Sequence, residues 1–438
     1  MESDLLRKIE ARSSKIGVIG LGYVGLPLLL RCAECGFPII GFDIDGQKVN
    51  LLRRGETYIR HIDPERIRNL RRKGLLDVTD DFSRLNEPDC ILICVPTPLS
   101  PNREPDLSYV VKTAEDIAGK LRPGQAVVLE STSYPGTTEE LLLPLFRQTG
   151  LLVGRDFFLG YSPEREDPGN PVYHSGNIPK IVSGITPRCL KVISAFYEKI
   201  SGKIVPVSST KVAEFAKLLE NIYRSVNIAL VNEMKILAHR MGVNIWEVIE
   251  AASTKPFGFT PFYPGPGLGG HCIPVDPFYL SWKAREYGLT ARFIELAGEI
   301  NVSMPRYVVE RIMEALNDRG RCLKGSKILI LGIAYKKDVD DDRESPAYPI
   351  MDMLMKLGAS VSYHDPLIPK LKPTRKYAFS MEAVELTEEF LESVDAVVIV
   401  TDHSSYDYDW IVRHAGLVVD TRNATRYVKE GREKVVMA

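Results

Sequence analysis

Lys15–Gly20 (KIGVIG) is an apolar run that ends in glycine, and from Tyr23 to Cys32 apolar residues recur at helical spacing. This pattern predicts a strand, a tight turn and a helix. Further apolar runs at Phe37–Asp43, Cys90–Val95 (CILICV), Ala126–Glu130 (AVVLE) and Phe157–Tyr161 are separated mostly by helix-length segments. Alternation of buried strands with helices predicts a parallel sheet covered on both faces. Residues 1–205 are therefore expected to form a first α/β domain.

From Thr210 to Met241 the chain contains neither Gly nor Pro and keeps a helical apolar period, which predicts one helix of about 48 Å. No single small domain can cover such a helix. It is expected to be the spine of a central helical domain, residues 206–320, and to bury an apolar face in a homodimer or higher homo-oligomer. A second strand-rich lobe, residues 321–438, starts at Lys327–Ala334 (KILILGIA) and continues with strands at Ala359–His364 and Ala396–Thr401. The expected class is α/β, with two Rossmann-like doubly wound domains joined by a helical domain with a long central helix.

Length and composition agree with this picture. The 438 residues exceed what one core supports, and 45% hydrophobic with 26% charged content excludes disorder over most of the chain. With 56 Lys+Arg against 57 Asp+Glu there is no global field to capture nucleic acid or an anionic membrane. No stretch reaches the 18 or so apolar residues of a membrane span, and the first residues carry charges where a signal peptide needs an apolar segment. Seven scattered cysteines do not read as a disulfide framework. A cytoplasmic protein with neither nucleic-acid nor membrane partners is expected.

Gly20-Leu-Gly22-Tyr23-Val24-Gly25 sits where a strand turns into a helix, the context in which glycines let a pyrophosphate approach a helix N-terminus. Asp43 ends the second strand, 23 residues after Gly20, where a carboxylate accepts hydrogen bonds from ribose hydroxyls and repels a 2′-phosphate. The predicted cofactor is NAD. Lys48, one turn on, either reaches the ribose or phosphate or is solvated. In the second lobe the corresponding turn carries Lys336, Lys337 and Arg343, read either as a diphosphate site held by side-chain charge or as a solvated loop.

Pro264–Pro277 (PGPGLGGHCIPVDP) is a shaped loop with one cysteine, and Cys272 is a candidate nucleophile. The alternative, a small buried hydrophobe, is the reading for Cys90, Cys94, Cys189 and Cys322. Cys32 and Cys35 have redox spacing but lie on the helix after the glycine turn, which makes them structural. Glu214, Lys217 and Asn221 share a helix face. Either Lys217 and Asn221 converge on the substrate of the thiol, or the face is a surface ion pair. Thr132 and Glu164 each follow a strand of the NAD lobe, where ligands bind in open α/β sheets.

GLGYVGLP, CVPTP, EST, YSPERE, EFAKLLEN, GPGLGGHCIPVDP and AYKKDVDDDRESPA occur in the order found in the UDP-sugar 6-dehydrogenases, within the UDP-glucose/GDP-mannose dehydrogenase family. The resemblance runs from about residue 15 to about residue 425, and GGHCIPVDP with SPERED and PFYPGPG is most similar to members that oxidise UDP-N-acetylglucosamine. It implies four-electron oxidation of the sugar C6 alcohol to a carboxylate with two NAD, in the synthesis of a surface polysaccharide precursor. By the same resemblance Cys272 forms a thiohemiacetal and then a thioester. Glu164 is the base for hydrolysis by a water near Thr132 and Asp276, and Lys217 with Asn221 stabilises the oxyanion. NAD contacts map to Gly20, Gly22, Tyr23, Val24, Gly25, Asp43, Lys48, Thr97, Thr132 and Arg343. The UDP-N-acetylhexosamine maps to Glu164, Arg165, Lys217, Asn221, Phe262, Tyr263, Gly265, Gly269, Lys336 and Arg422. No metal is implied.

The chain departs from the UDP-glucose members at Val275, where they carry lysine, and at Thr254-Lys255-Pro256, where they carry arginine. A less polar pocket suits a 2-acetamido group, and Lys255 is a candidate to reach across a subunit interface. His271 either tunes the thiol or positions the backbone. UDP-N-acetylmannosamine, UDP-glucose and GDP-mannose are the alternative substrates. An NAD-sensing or scaffolding protein without chemistry is the alternative from another class.

Overall fold

The computed structural model describes residues 1–438 except 60, 61, 101, 166–175, 271, 272 and 375. Its compact units are Met1–Glu220 with Phe278–Thr290, and Asn221–Pro277 with Ala291–Ala438.

The first unit holds strands β1 (Ile16–Ile19), β2 (Ile39–Phe42), β3 (Leu76–Thr79), β4 (Cys90–Ile93), β5 (Ala126–Leu129) and β6 (Phe158–Tyr161). They form one parallel sheet in the order β3-β2-β1-β4-β5-β6. The order reverses between β1 and β4, so their following loops leave toward opposite faces and open a crevice at the carboxyl ends. Every residue of β1, β2, β4, β5 and β6 is buried, as expected of a sheet covered on both faces. Edge strand β3 (LDVT) exposes Asp77 and so lacks a continuous apolar run. The helix Gly25–Glu34 turns Leu26, Leu29, Leu30 and Ala33 into the core beside Val18 and Leu92. Two short strands, β7 (Lys180–Val182) and β8 (Ile204–Pro206), pair with each other outside the large sheet.

In the second unit, β9 (Lys327–Leu331), β10 (Ser360–His364), β11 (Ala396–Ile399), β12 (Val418–Asp420) and β13 (Val435–Met437) form a parallel sheet. Its order, β10-β9-β11-β12-β13, is the other doubly wound arrangement, reversing between β9 and β11. Ile328 and Ile330 of β9 join one buried cluster and Leu329 and Leu331 another, so apolar cover lies on both faces. Strands β12 and β13, three residues each, are too short to give a period.

Between the two sheets in sequence, the helix Thr210–Arg240 runs 31 residues, and the helices Ile245–Ser253, Asp276–Glu286 and Arg292–Asn317 follow. Cys90, Cys94 and Cys189 are buried, but Cys322 is exposed. The expected burial of Cys322 is corrected by its place in the irregular stretch between the last of these helices and β9. No helix among the described residues is long and apolar enough to cross a membrane.

Candidate active site

Gly20 follows β1 at φ +89°, and a methyl on it would stand 2.5 Å from the Cys94 carbonyl oxygen after β4. A methyl on Gly25 would lie 1.8 Å from the Gly20 carbonyl oxygen. These two glycines are dictated by packing. Gly22 differs, because a methyl there meets nothing within 4 Å, and no side chain caps the helix that starts at Gly25. Open space beside an uncapped helix N-terminus is what a pyrophosphate requires. Asp43 is buried and accepts from the Leu21 N–H at 2.8 Å and the Asp45 N–H at 2.9 Å, with Lys48 Nζ at 3.8 Å. Tyr58 donates to the Leu21 carbonyl and packs under the Lys48 ammonium. The glycine turn, the uncapped helix and Asp43 together fit a dinucleotide. Thr97 is buried in the loop after β4, Val24 is exposed, and Thr132 is half-buried after β5.

At the carboxyl ends of β5 and β6 the first turns of the Thr210–Arg240 helix are fixed by charge. Glu214 accepts from the Gly136 N–H at 2.6 Å, the Thr138 N–H at 2.9 Å and the Thr138 hydroxyl at 2.7 Å. Burial pushes its pKa up to about 7 in spite of those donors. Arg165 pairs with Glu220 at 2.6 Å and donates to the Pro179 carbonyl at 2.7 Å. Glu214 is therefore a turn anchor, not the partner of Lys217, which corrects the surface ion-pair alternative. The Lys217 side chain is only 8% exposed and has no hydrogen-bond or ion-pair partner among the described residues. Glu164 accepts from the Arg165 N–H at 2.7 Å and from Lys180 Nζ at 3.0 Å. Lys180 also donates to Glu130 at 2.7 Å, and Glu130 accepts from Tyr197 as well.

The second unit contains the chain on either side of the candidate nucleophile. Cys272 and His271 lie outside the described residues. Asn221 Nδ2 donates to Asp276 at 2.5 Å, joining the long helix to the start of Asp276–Glu286. The glycine loop is pinned by buried amides: Asn301 Nδ2 donates to the Ser225 carbonyl at 3.1 Å, Asn232 Nδ2 to Asn301 at 3.0 Å, and the Gly265 N–H to Asn232 at 3.0 Å. Phe262 meets Tyr223 edge-on at 5.6 Å, and Tyr263 stacks on Trp246 at 5.8 Å. A methyl on Gly265 would stand 2.6 Å from Arg422 Nη1, and one on Gly269 2.6 Å from Tyr335 Cβ, next to Lys336. The Gly270 N–H donates to the Arg343 carbonyl at 3.0 Å. The Arg343 guanidinium itself is taken up by Asp341 at 2.6 Å, and Arg422 also donates to Asp402 at 3.3 Å.

After β9, Gly332 (φ +84°) packs against Thr401 as Gly20 does against Cys94. Asp365 ends β10 as Asp43 ends β2, but its carboxylate is filled. It accepts from the N–H groups of Ile333, Ala334, Leu367 and Ile368 and from His403 Nε2 at 3.1 Å. Because the Asp338 N–H donates to His403 Nδ1, the ring proton sits on Nε2. Burial raises the Asp365 pKa, yet His403 and the backbone donors outweigh it and hold the carboxyl below its ordinary range.

Residues 14–201 match the NAD binding domain of the UDP-glucose/GDP-mannose dehydrogenase family, residues 211–303 its central domain and residues 329–427 its UDP binding domain. The chain belongs to that family. It is 35% identical to a UDP-N-acetyl-D-glucosamine 6-dehydrogenase of Salmonella typhi, over 90% of each chain. It is 36% identical to an NDP-N-acetyl-D-galactosaminuronic acid dehydrogenase of Ralstonia solanacearum, over 95% of this chain and 97% of the other. The solved UDP-D-ManNAc dehydrogenase of Pyrococcus horikoshii superposes with a TM-score of 0.85 at 33% identity, covering 97% of this chain and 98% of that one. The protein is an NAD-dependent UDP-sugar dehydrogenase of this family.

For this dehydrogenase, sequence reasoning missed Glu130, Lys180 and Tyr197 around Glu164, and the amides of Asn232 and Asn301 behind the glycine loop. Lys180 opens an apolar run (KIV) and reads as a solvated lysine. Its partners stand 50 and 16 residues away, and no local pattern reports them. The one available signal was Glu130, an acid ending an apolar run at the mouth of a parallel sheet.

Proposed function

We propose that this dehydrogenase oxidises the C6 alcohol of UDP-N-acetylglucosamine to the carboxylate, supplying a precursor for a surface polysaccharide. The three-part division at 205 and 320 separates NAD binding, helical spine and UDP-sugar binding. What supports the sugar assignment is Val275, three residues after Cys272 in sequence, in place of the lysine of the UDP-glucose members, together with the GGHCIPVDP form of the loop. The relative acting on UDP-D-ManNAc favours UDP-N-acetylmannosamine as the second reading.

NAD, held by the Gly20–Gly25 turn and Asp43, supplies hydride acceptance in each of the two oxidations. In the proposed scheme the Cys272 thiolate adds to the C6 aldehyde carbonyl to form a thiohemiacetal, and the second oxidation leaves a thioester on its sulfur. Lys217, a buried cation without a partner among the described residues, stabilises the developing oxyanion. Asn221, which spends one amide hydrogen on Asp276, offers the other. One such donor is worth about 10²–10³ in rate. Glu164 takes a proton from the water that cleaves the thioester, with Thr132 and Asp276 holding that water. Arg165, Phe262, Tyr263, Gly265, Gly269, Lys336 and Arg422 hold the nucleotide sugar, where Lys336 and Arg422 provide positive charge for the diphosphate.

The Thr210–Arg240 helix supports a homodimer or higher oligomer. Phe215, Leu219, Tyr223, Leu230, Met234 and Leu237 recur at helical spacing and are all exposed. Sedimentation is expected to show a dimer or larger; a monomer alone contradicts it. The deciding experiment for function is product identification by mass spectrometry after incubation with NAD and each of UDP-N-acetylglucosamine, UDP-N-acetylmannosamine and UDP-glucose. Two NADH per sugar, with UDP-N-acetylglucosamine preferred, is expected. Absence of turnover on both acetamido sugars sinks the assignment.

A further inference from the structure

We propose that Lys180 is a positioning residue for Glu164, its buried ammonium holding the Glu164 carboxylate ionised and aligned for proton transfer from water. The inference rests on the reading of Glu164 as the base of thioester hydrolysis. In that step the water oxygen bonds to the acyl carbon and one water proton passes to Glu164. The carbon–sulfur bond then breaks and its electron pair returns to the Cys272 sulfur. A base must therefore be both unprotonated and fixed in direction when the water arrives.

A carboxylate as covered as that of Glu164, 11% exposed, is driven toward its neutral form unless a cation compensates it. Lys180 is that cation. It is 5% exposed, 3.0 Å from Glu164 and 2.7 Å from Glu130. Burial alone would lower the pKa of Lys180, but the two carboxylates more than offset it and keep the ammonium charged. Glu130 accepts at both oxygens, from Tyr197 and from Lys180, so it is held as a carboxylate although burial pushes its pKa up. The cluster gathers the ends of three elements: Glu130 follows β5, Glu164 lies just beyond β6, and Lys180 opens β7. Tyr197 reaches in from the helix Pro187–Ile200, and its ring lies 5.5 Å from the Lys180 ammonium. Other titratable neighbours among the described residues are Arg165, paired with Glu220, Cys94 after β4 and Cys32 on the helix Gly25–Glu34. Burial pushes both thiols well up, so they stay neutral. Glu130 and Glu164 share the Lys180 cation, with Glu130 drawing on the charge that Glu164 needs.

This sharing makes opposite predictions for the two neighbours. Removing the cation raises the pKa of Glu164, and removing the competing carboxylate lowers it. The experiment measures kcat against pH, and the intact mass of the enzyme during turnover, with NAD and whichever of UDP-N-acetylglucosamine and UDP-N-acetylmannosamine is turned over faster. Lys180→Met is expected to move the acid limb upward by about one to three pH units and to accumulate a sugar adduct on Cys272. Glu130→Gln is expected to move the limb downward, and Lys180→Arg to stay near the wild type. Because the last two keep the site polar and filled, the inference stays open to refutation if Lys180→Met does not fold. An acid limb unmoved in Glu130→Gln, or displaced the same way as in Lys180→Met, overturns it. Glu164→Gln separates the two levels. If it accumulates the adduct while Lys180→Met does not, the role of Lys180 alone falls. If it turns over normally, the base assignment and the inference fall together.

Discussion

The Asp43 carboxylate accepts a hydrogen bond from the Leu21 N–H at 2.8 Å, tying the end of β2 to the glycine turn after β1. One acid thus shapes the turn and, in the proposed seating of NAD, meets the ribose. Asp43→Asn keeps an oxygen for Leu21 but loses the charge that repels a 2′-phosphate. The KM for NAD is expected to rise, and the preference for NAD over NADP to fall by about tenfold or more, since one lost charge contact is worth ~1.4 kcal/mol or more. Steady-state kinetics with both cofactors checks this; an unchanged preference contradicts it.

Two glycines of the same turn should fail differently. Gly25→Ala forces a methyl onto the Gly20 carbonyl oxygen and is expected to lower the melting temperature sharply. Gly22→Val fills open space, so its melting temperature should stay near the wild type while NAD affinity collapses. Thermal melts with and without NAD distinguish the two.

Cys272→Ala is expected to abolish carboxylate formation while UDP-sugar affinity, measured by calorimetry, stays within about threefold, because only the covalent step is lost. Carboxylate production at the wild-type rate would refute the nucleophile.

Asn301→Leu leaves the amide of Asn232 and the Ser225 carbonyl without their buried partner. A loss of about 1–3 kcal/mol per unsatisfied group is expected, together with a raised KM for the nucleotide sugar as the Gly265 loop loosens. Denaturant melts and kinetics test both; an effect on stability alone removes the link to the loop.

Glu214 carries a pH signature. Its folded pKa of about 7 lies above the unfolded value of 4.5, so the native state binds more protons between them. Its contribution to stability is therefore largest below the unfolded pKa and declines as pH rises through about 7. Glu214→Gln removes this slope, so the destabilisation it causes should shrink from about pH 5 to about pH 8. Urea melts at the two pH values check the sign; a cost that grows with pH would contradict the burial argument.

Legibility in the sequence followed burial. Strands β1, β2, β4, β5 and β6 announced themselves because every residue in them is covered, whereas β3 mixes Asp77 into its run and β7, β8, β12 and β13 are too short. The glycine turn and Asp43 were readable because backbone demands restrict residue type locally. Lys180, Glu130, Asn232 and Asn301 were not. Burial of a polar side chain depends on a partner brought by topology, and the same lysine or amide on an open surface has the same neighbours in sequence.

The saturation of Asp365 has a kinetic consequence. With five donors on one carboxylate, the second lobe has no acceptor left at the place that corresponds to Asp43 in the first, so among the described residues there is a single turn-and-acid arrangement open to a dinucleotide. In the four-electron scheme proposed above, which consumes two NAD per sugar, that seat must be vacated and refilled midway. The half-oxidised sugar has to outlast the exchange, and a bond to sulfur gives it a residence time that hydrogen bonds alone do not.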